Sequence, residues 1–179
     1  FTGGENNPGY IGAYIPGVRE NGGQYTHAAV WFCRALFSVG RNREAYDILR
    51  LLNPVAHTMS VENVGRYRKE PYVLAADVYT NRAHYGMGGW TWYTGSAGWY
   101  LRCVYENVLG ITRRGDRVFF SPPPDIFRLG FAFELLVEKT SFSVTAAFSP
   151  RSGLFVDGAP SDFAPLDGKH HSVEIYIKK

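Results

Sequence analysis

The chain has 179 residues, which suits one ordinary domain or a half-domain joined to a small second one. Its net charge is +3, and its basic residues are scattered apart from the pairs Arg68-Lys69, Arg113-Arg114 and Lys178-Lys179. That distribution argues against a nucleic-acid partner, whose site would gather cations on one face, and no apolar run approaches the roughly 20 residues needed to span a bilayer. Aromatic residues make up 16% of the chain. Such rings fill cores, and they also form floors for sugars, because the apolar face of a pyranose matches a ring face.

Residues 1–24 are rich in Gly, Asn and Pro and read as loop. No signal peptide is visible, and the start, without Met, reads as the edge of a fragment or of a processed chain. From Thr26 to Phe37 the apolar residues Ala28, Ala29, Phe32, Cys33, Leu36 and Phe37 recur at helical spacing, and Gly40 ends the pattern. Arg43 to Leu52 gives a second amphipathic helix, stopped by Asn53-Pro54, so the two are expected to form an α-hairpin. A short helix is expected at Ser60-Val-Glu-Asn-Val, and another is expected to start at Pro71, running through Tyr72-Val-Leu-Ala-Ala. Asn81 to Thr94 reads as a long aromatic loop, and Ser96 to Leu109 as the clearest helix, capped by Gly110.

The periodicity then changes to two. Val118-Phe-Phe follows the turn Arg114-Gly-Asp, and Phe131, Phe133, Leu135 and Val137 alternate with Ala132, Glu134, Leu136 and Glu138. Phe142, Val144, Ala146 and Phe148 repeat that pattern; Asp157-Gly158 reads as a hairpin turn, and Val173-Glu-Ile-Tyr-Ile as the last strand. His170-His171 is expected at a surface turn before it. Cys33 and Cys103 lack metal-ligand spacing and read as buried free thiols. The expected class is α+β: helices, then a small antiparallel set of strands.

Three segments carry candidate chemistry. Arg19-Glu20-Asn21-Gly22-Gly23-Gln24-Tyr25-Thr26-His27 lies at a helix start, where free N–H groups and the macrodipole favour an anion; it reads equally as a capped helix entry. Gly88 to Trp99 places Trp90, Trp92 and Tyr93 before Thr94-Gly95-Ser96, either a sugar platform leading into a phosphate cradle or an ordinary N-cap with core aromatics. Arg66-Tyr67-Arg68-Lys69-Glu70-Pro71-Tyr72, with Asp77 beyond it, can bind sugar hydroxyls or phosphate, or form a solvated charge run. His57 and His84 read as structural residues. There is no G-x-S-x-G, H-E-x-x-H or P-loop motif.

PGVRENGGQYTHAAVW, YRKEPYVLAADVY and GGWTWYTGSAGW resemble consecutive blocks of the cellobiose/chitobiose phosphorylase family, glycoside hydrolase family ninety-four, in family order. Their wording is similar to the C-terminal region of cyclic β-1,2-glucan synthases and to 1,2-β-oligoglucan phosphorylases. The resemblance implies part of an (α/α)₆ toroid over residues 1–112 and a C-terminal antiparallel β-sandwich lobe over 113–179. It implies an inverting phosphorolysis, in which an acid protonates the glycosidic oxygen while inorganic phosphate, a co-substrate rather than a cofactor, attacks the anomeric carbon from the other face. Carried onto matching positions, it makes His27, Thr94, Gly95 and Ser96 phosphate ligands. Glu20 becomes a sugar contact, with Arg19, Gln24, Glu70, Tyr72, Trp90 and Trp92 as further candidates.

No metal is implied. The implied partners are phosphate, a β-glucan oligosaccharide and an upstream part of the same enzyme, with a homodimer left open. The implied location is the cytoplasm, or the cytoplasmic face of the bacterial inner membrane for a synthase. The family's general acid sits in a Trp-x-Asp setting that this sequence lacks, so the segment alone is expected to be inactive. The other expectation is a non-catalytic module that binds glucan or controls its length.

Overall fold

The structure, a computed structural model, describes residues 7–92 and 94–178, without the side chain of Thr94. The chain divides into two compact units, Phe1–Cys103 and Val104–Lys179.

The first unit contains β1 (Gln24–Tyr25), α1 (Thr26–Ser38), α2 (Asn42–Leu51), α3 (Val61–Tyr67), β2 (Asp77–Val78) and α4 (Thr94–Cys103). In α1 the buried stripe is Val30, Cys33, Leu36 and Phe37, the three-and-four spacing of one helix face. α2 buries Ala45 and Leu49 and packs on α1, as does α4. α3 starts where the Ser60 hydroxyl accepts the N–H of Asn63. Cys33 and Cys103 are fully buried thiols that form no disulfide; burial, and then Cys103, push the Cys33 thiol up to about 12.

The helix expected from Pro71 does not form. Val73, Leu74, Ala75 and Ala76 are all buried in a non-helical segment that leads into β2. A run that is apolar on every side carries no period, so its composition could not distinguish a helix from the non-helical backbone that leads into β2. Its partner is β1, paired antiparallel with Gln24 opposite Val78 and Tyr25 opposite Asp77. The last long helix also differs from its expected course: α4 ends at Cys103, and Val104–Val108 is π-helical.

The second unit follows that π-turn with β3 (Ile111–Arg114), β4 (Arg117–Phe120), β5 (Phe131–Val137), β6 (Thr140–Ser149), β7 (Gly153–Val156), β8 (Ala159–Ser161), β9 (Ala164–Pro165) and β10 (His170–Lys178). One sheet runs β5-β6-β10-β7-β8 and the other β3-β4-β9. The set is not wholly antiparallel: β10 runs parallel to β6 from His170 opposite Ser141 to Lys178 opposite Ser149. Strands so far apart in sequence pair without a hairpin, so no turn signal could reveal their direction. Val118 and Phe120 from one sheet and Phe142, Val144, Val173 and Ile175 from the other share one core.

His171 is a correction of another kind. It lies inside β10 and is buried, stacked on Phe142. Its Nδ1 meets Asp157 Oδ2 at 2.8 Å, and its Nε2 meets Asp167 Oδ1 at 3.0 Å. Both ring nitrogens therefore act as donors, which favours the imidazolium. The hydrogen bond to Asp157 raises the His171 pKa against the opposing effect of burial. The hydrogen bond to His171 lowers both carboxyls, Asp167 to about 2. A raised histidine contributes stability that is full below about 6.5, its ordinary value, and is lost as pH rises through the folded value. The lowered carboxyls contribute above about 3.9 and lose it as pH falls through theirs. His171→Phe, which keeps the stack and removes both donors, should therefore lower the melting temperature most between about pH 4 and 6.5. The difference from the unsubstituted chain should shrink toward pH 9, as thermal melts across pH will show.

Candidate functional site

The residues of the three sequence blocks converge in the first unit. His27 sits in the first turn of α1 and Gly95 in the first turn of α4. A Cβ on Gly95 would lie 3.4 Å from His27 Nδ1 and 3.5 Å from Cε1, so the imidazole lies against the Thr94-Gly95-Ser96 turn. Two helix starts with partly unsatisfied N–H groups thus flank one imidazole, a setting suited to an oxyanion. Ser96 is buried in that turn; Tyr93 and the side chain of Thr94 lie outside the described residues. His27 Nε2 is buried with no hydrogen-bond partner among the described residues.

Two aromatic residues that sequence reasoning passed over frame this imidazole. Trp31 packs edge-on to His27 at 5.3 Å, and Trp99 edge-on to Trp31 at 5.4 Å. The available signal was helical spacing, since Trp31 is four residues from His27 and Trp99 four from Gly95.

Arg19, Glu20, Trp90 and Asp77 form a second cluster. The Arg19 guanidinium stacks 4.3 Å over Trp90, near Tyr14 at 5.4 Å, and its Nε lies 3.6 Å from Glu20 Oε2. The Arg19 backbone takes a left-handed φ of 48° and donates its N–H to Asp77 Oδ2 at 3.0 Å. Asp77 is fully buried, and burial raises its pKa against the lowering effect of the Arg19 N–H. Its Oδ1 has no hydrogen-bond partner among the described residues, and the same holds for Gln24 Nε2.

Glu70, Tyr72 and Trp92 meet at a third place. Trp92 donates its indole N–H to Glu70 Oε1 at 3.3 Å and packs edge-on to Tyr72 at 6.3 Å. The Glu70 carboxyl is held below its ordinary value by its own backbone N–H first and by Trp92 among the rest. Tyr72 and Trp92 border an open, mainly apolar pocket of about 390 Å³ with Pro54, Leu74, Ala97 and Tyr100. Ala97 belongs to the first turn of α4, so pocket and imidazole flank the same turn. Among the described residues no group of three or more His, Cys, Asp or Glu side chains could hold a metal ion, and no helix is long and apolar enough to cross a membrane.

The catalytic domain of the glycosyl hydrolase 94 superfamily matches residues 1–110, and the chain belongs to that family. It is 48% identical over 149 residues to the cyclic beta-(1,2)-glucan synthase NdvB of Rhizobium meliloti (strain 1021), a match that covers 83% of this chain and 5% of that protein. It is 29% identical over 118 residues to a 1,2-beta-oligoglucan phosphorylase of Listeria innocua, covering 58% of this chain and 11% of that one. Solabiose phosphorylase of Paenibacillus borealis is 29% identical over 116 residues, covering 64% and 15%. The chain thus spans only a small share of the length of these relatives.

Close approach makes two glycines opposite in their tolerance. A Cβ on Gly89 would fall 2.0 Å from Asp77 Oδ1, whereas one on Gly98, in α4, would meet nothing within 4 Å. Gly89→Ala should destabilise the first unit by about 1–3 kcal/mol, the usual consequence of overpacking. Gly98→Ala should stabilise it by about 0.5–1 kcal/mol through helix propensity. Urea unfolding of both variants will read the two effects.

Proposed function

We propose that this chain is the phosphate- and sugar-binding portion of an inverting glycoside phosphorylase-like enzyme acting on β-glucans, with β-1,2-linked chains as the preferred substrate. The observation that carries the proposal is the His27 imidazole against the Gly95 turn, with its buried Nε2 lacking a partner among the described residues. In this reading His27, Thr94, Gly95 and Ser96 hold inorganic phosphate. The anion is already a nucleophile, so the site supplies charge neutralisation and position rather than a general base.

Arg19, Glu20, Gln24 and Trp90 contact the sugar on one side, and Glu70, Tyr72 and Trp92 on the other. Residues 1–112 form the last part of an (α/α)₆ catalytic domain and 113–179 a β-sandwich lobe. The general acid comes from a segment before Phe1, because the sequence contains no Trp-x-Asp. Exposed apolar residues on α1 and α4, among them Trp31, Phe32 and Leu101, support burial against further helices of the same enzyme, in the cytoplasm or on the cytoplasmic face of a membrane. The names of the synthase and phosphorylase relatives support the choice of substrate.

The test is cleavage of β-1,2-glucooligosaccharides by the whole enzyme with and without phosphate. Phosphate-dependent release of α-glucose 1-phosphate is expected, and His27→Asn should reduce kcat by roughly a hundredfold, the usual effect of losing one preorganised donor. Glucan binding without any phosphorolysis would instead identify a non-catalytic module.

A further inference from the structure

A separate concave site lies at the end of α3; it shares no residue with the three places of the candidate site, and it takes Arg66 and Arg68 from the third sequence segment. Arg66, Arg68, Arg82 and His84 line it together with Gly65, Ala83, Tyr85 and Met87, around a volume of about 220 Å³. The lining contains three arginines, a histidine and no carboxylate. Glu62 pairs with Arg66 at 2.7 Å from the neighbouring turn; among the described residues Arg68 and Arg82 have no carboxylate partner. Like charges held in one hollow repel one another, and an anion relieves that repulsion.

The frame that presents these groups is fixed by backbone hydrogen bonds. The His84 N–H donates to Asn81 O at 3.0 Å, Gly86 N–H to Tyr79 O at 2.9 Å, Met87 N–H to His84 O at 3.0 Å and Gly88 N–H to Tyr67 O at 3.0 Å. Gly86, at φ 80°, lets the Arg66 stem pass beneath the loop; a Cβ there would lie 2.8 Å from Arg66 Cδ.

Arg68 is the most telling residue. It caps α3 in a left-handed conformation, φ 55° and ψ 32°, a position that glycine normally takes. An arginine there carries backbone strain that its side chain must offset. The Arg68 Nε–H donates to Gly65 O at 2.9 Å, which holds the stem and leaves the two terminal amino groups of the guanidinium as donors.

We propose that this pocket binds a tetrahedral oxyanion, either inorganic phosphate or the phosphoryl group of a sugar phosphate. Guanidinium forks match such oxygens bidentately; Arg68 and Arg82 have no carboxylate partner among the described residues, and Arg66 adds a third fork that it shares with Glu62. The hollow also leaves room beside the anion for a sugar-sized substituent.

The test is a titration of the isotope-labelled 179-residue chain with inorganic phosphate, with a hexose phosphate and with the uncharged hexose, at constant ionic strength, followed by amide and histidine-ring NMR. Saturable shifts at Arg68 and Arg82–His84 are expected from both anions and none from the neutral sugar; tighter binding of the hexose phosphate identifies the sugar-bearing source, and equal binding the free anion. Arg82→Gln and Arg68→Gly should each weaken this response about tenfold, the loss of one charge-assisted contact. Arg68→Gly should do so with an unchanged or raised melting temperature, because it relieves the cap. His27→Asn should leave the response intact. Shifts that never saturate, that persist in Arg82→Gln, or that vanish in His27→Asn would overturn the assignment.

Discussion

The peptide unit of Ala76 holds the first unit's chemistry together. Its carbonyl accepts the Thr26 N–H at the start of α1 at 2.9 Å, and its own N–H donates to the Trp90 carbonyl at 2.6 Å. One residue later, Asp77 accepts the Arg19 N–H, and its carboxylate fills the space that a side chain at Gly89 would need. The first, second and third sequence blocks therefore meet at the end of one buried stretch, Val73 to Asp77. Because that stretch is buried, each of these backbone groups is exchanged for a protein partner rather than for water. Removing any one of them leaves a donor or acceptor stranded, at about 1–3 kcal/mol. This constraint places His27, Arg19 and Trp90 relative to one another.

Much of the architecture could be read from the sequence, and the failures share a cause. The stripe Cys33, Leu36, Phe37 fixed α1, and the alternation of Phe131, Phe133, Leu135 and Val137 matches β5, whose odd-numbered residues are half-buried and whose even-numbered ones are exposed. The hairpin at Asp157-Gly158 forms with both residues at positive φ. Each of these signals is local. Val73 to Ala76 gave no local signal, because a stretch buried all round has no polar face to mark its period. The parallel pairing of β6 with β10 and the place of His171 depend on partners 29 and 14 residues away in sequence. Nothing near His170-His171 distinguishes a turn from a strand until Asp157 and Asp167 are brought beside it.

The same division separates what could be read of the candidate site. The polar residues of the blocks stood out by type, and the structure distributes them over three places in the first unit. Trp31, Trp99 and the role of Asp77 did not stand out, since an aromatic or a carboxylate acquires meaning only from its neighbour. Buried side-chain atoms on Gln24, His27 and Asp77 lack hydrogen-bond partners among the described residues. All three residues belong to β1, β2 or the first turn of α1. Orphaned polar atoms are rare in folded proteins and are unfavourable unless a ligand or water satisfies them. Their confinement to one small region distinguishes it from the core of the second unit, where even the buried imidazole has both nitrogens engaged.

Backbone strain follows the same geography. Among the described residues of the first unit the non-glycine residues with positive φ are Arg19, Arg68 and Trp92, one in each of the three blocks. In the second they are Glu138 and Asp157, which sit between paired strands, where hairpin geometry demands that conformation. A tight turn explains the latter pair; it does not explain a tryptophan at φ 64°, since a bulky side chain is among the least tolerant of the left-handed region. What holds Trp92 there is its indole N–H on Glu70 and its edge against Tyr72, and what holds Arg19 is the Asp77 carboxylate below and Trp90 above. In both cases a side-chain contact pins a conformation that the local sequence resists. Strain of this kind persists where the surrounding fold overdetermines a position, and it clusters where a surface must be held ready for a ligand.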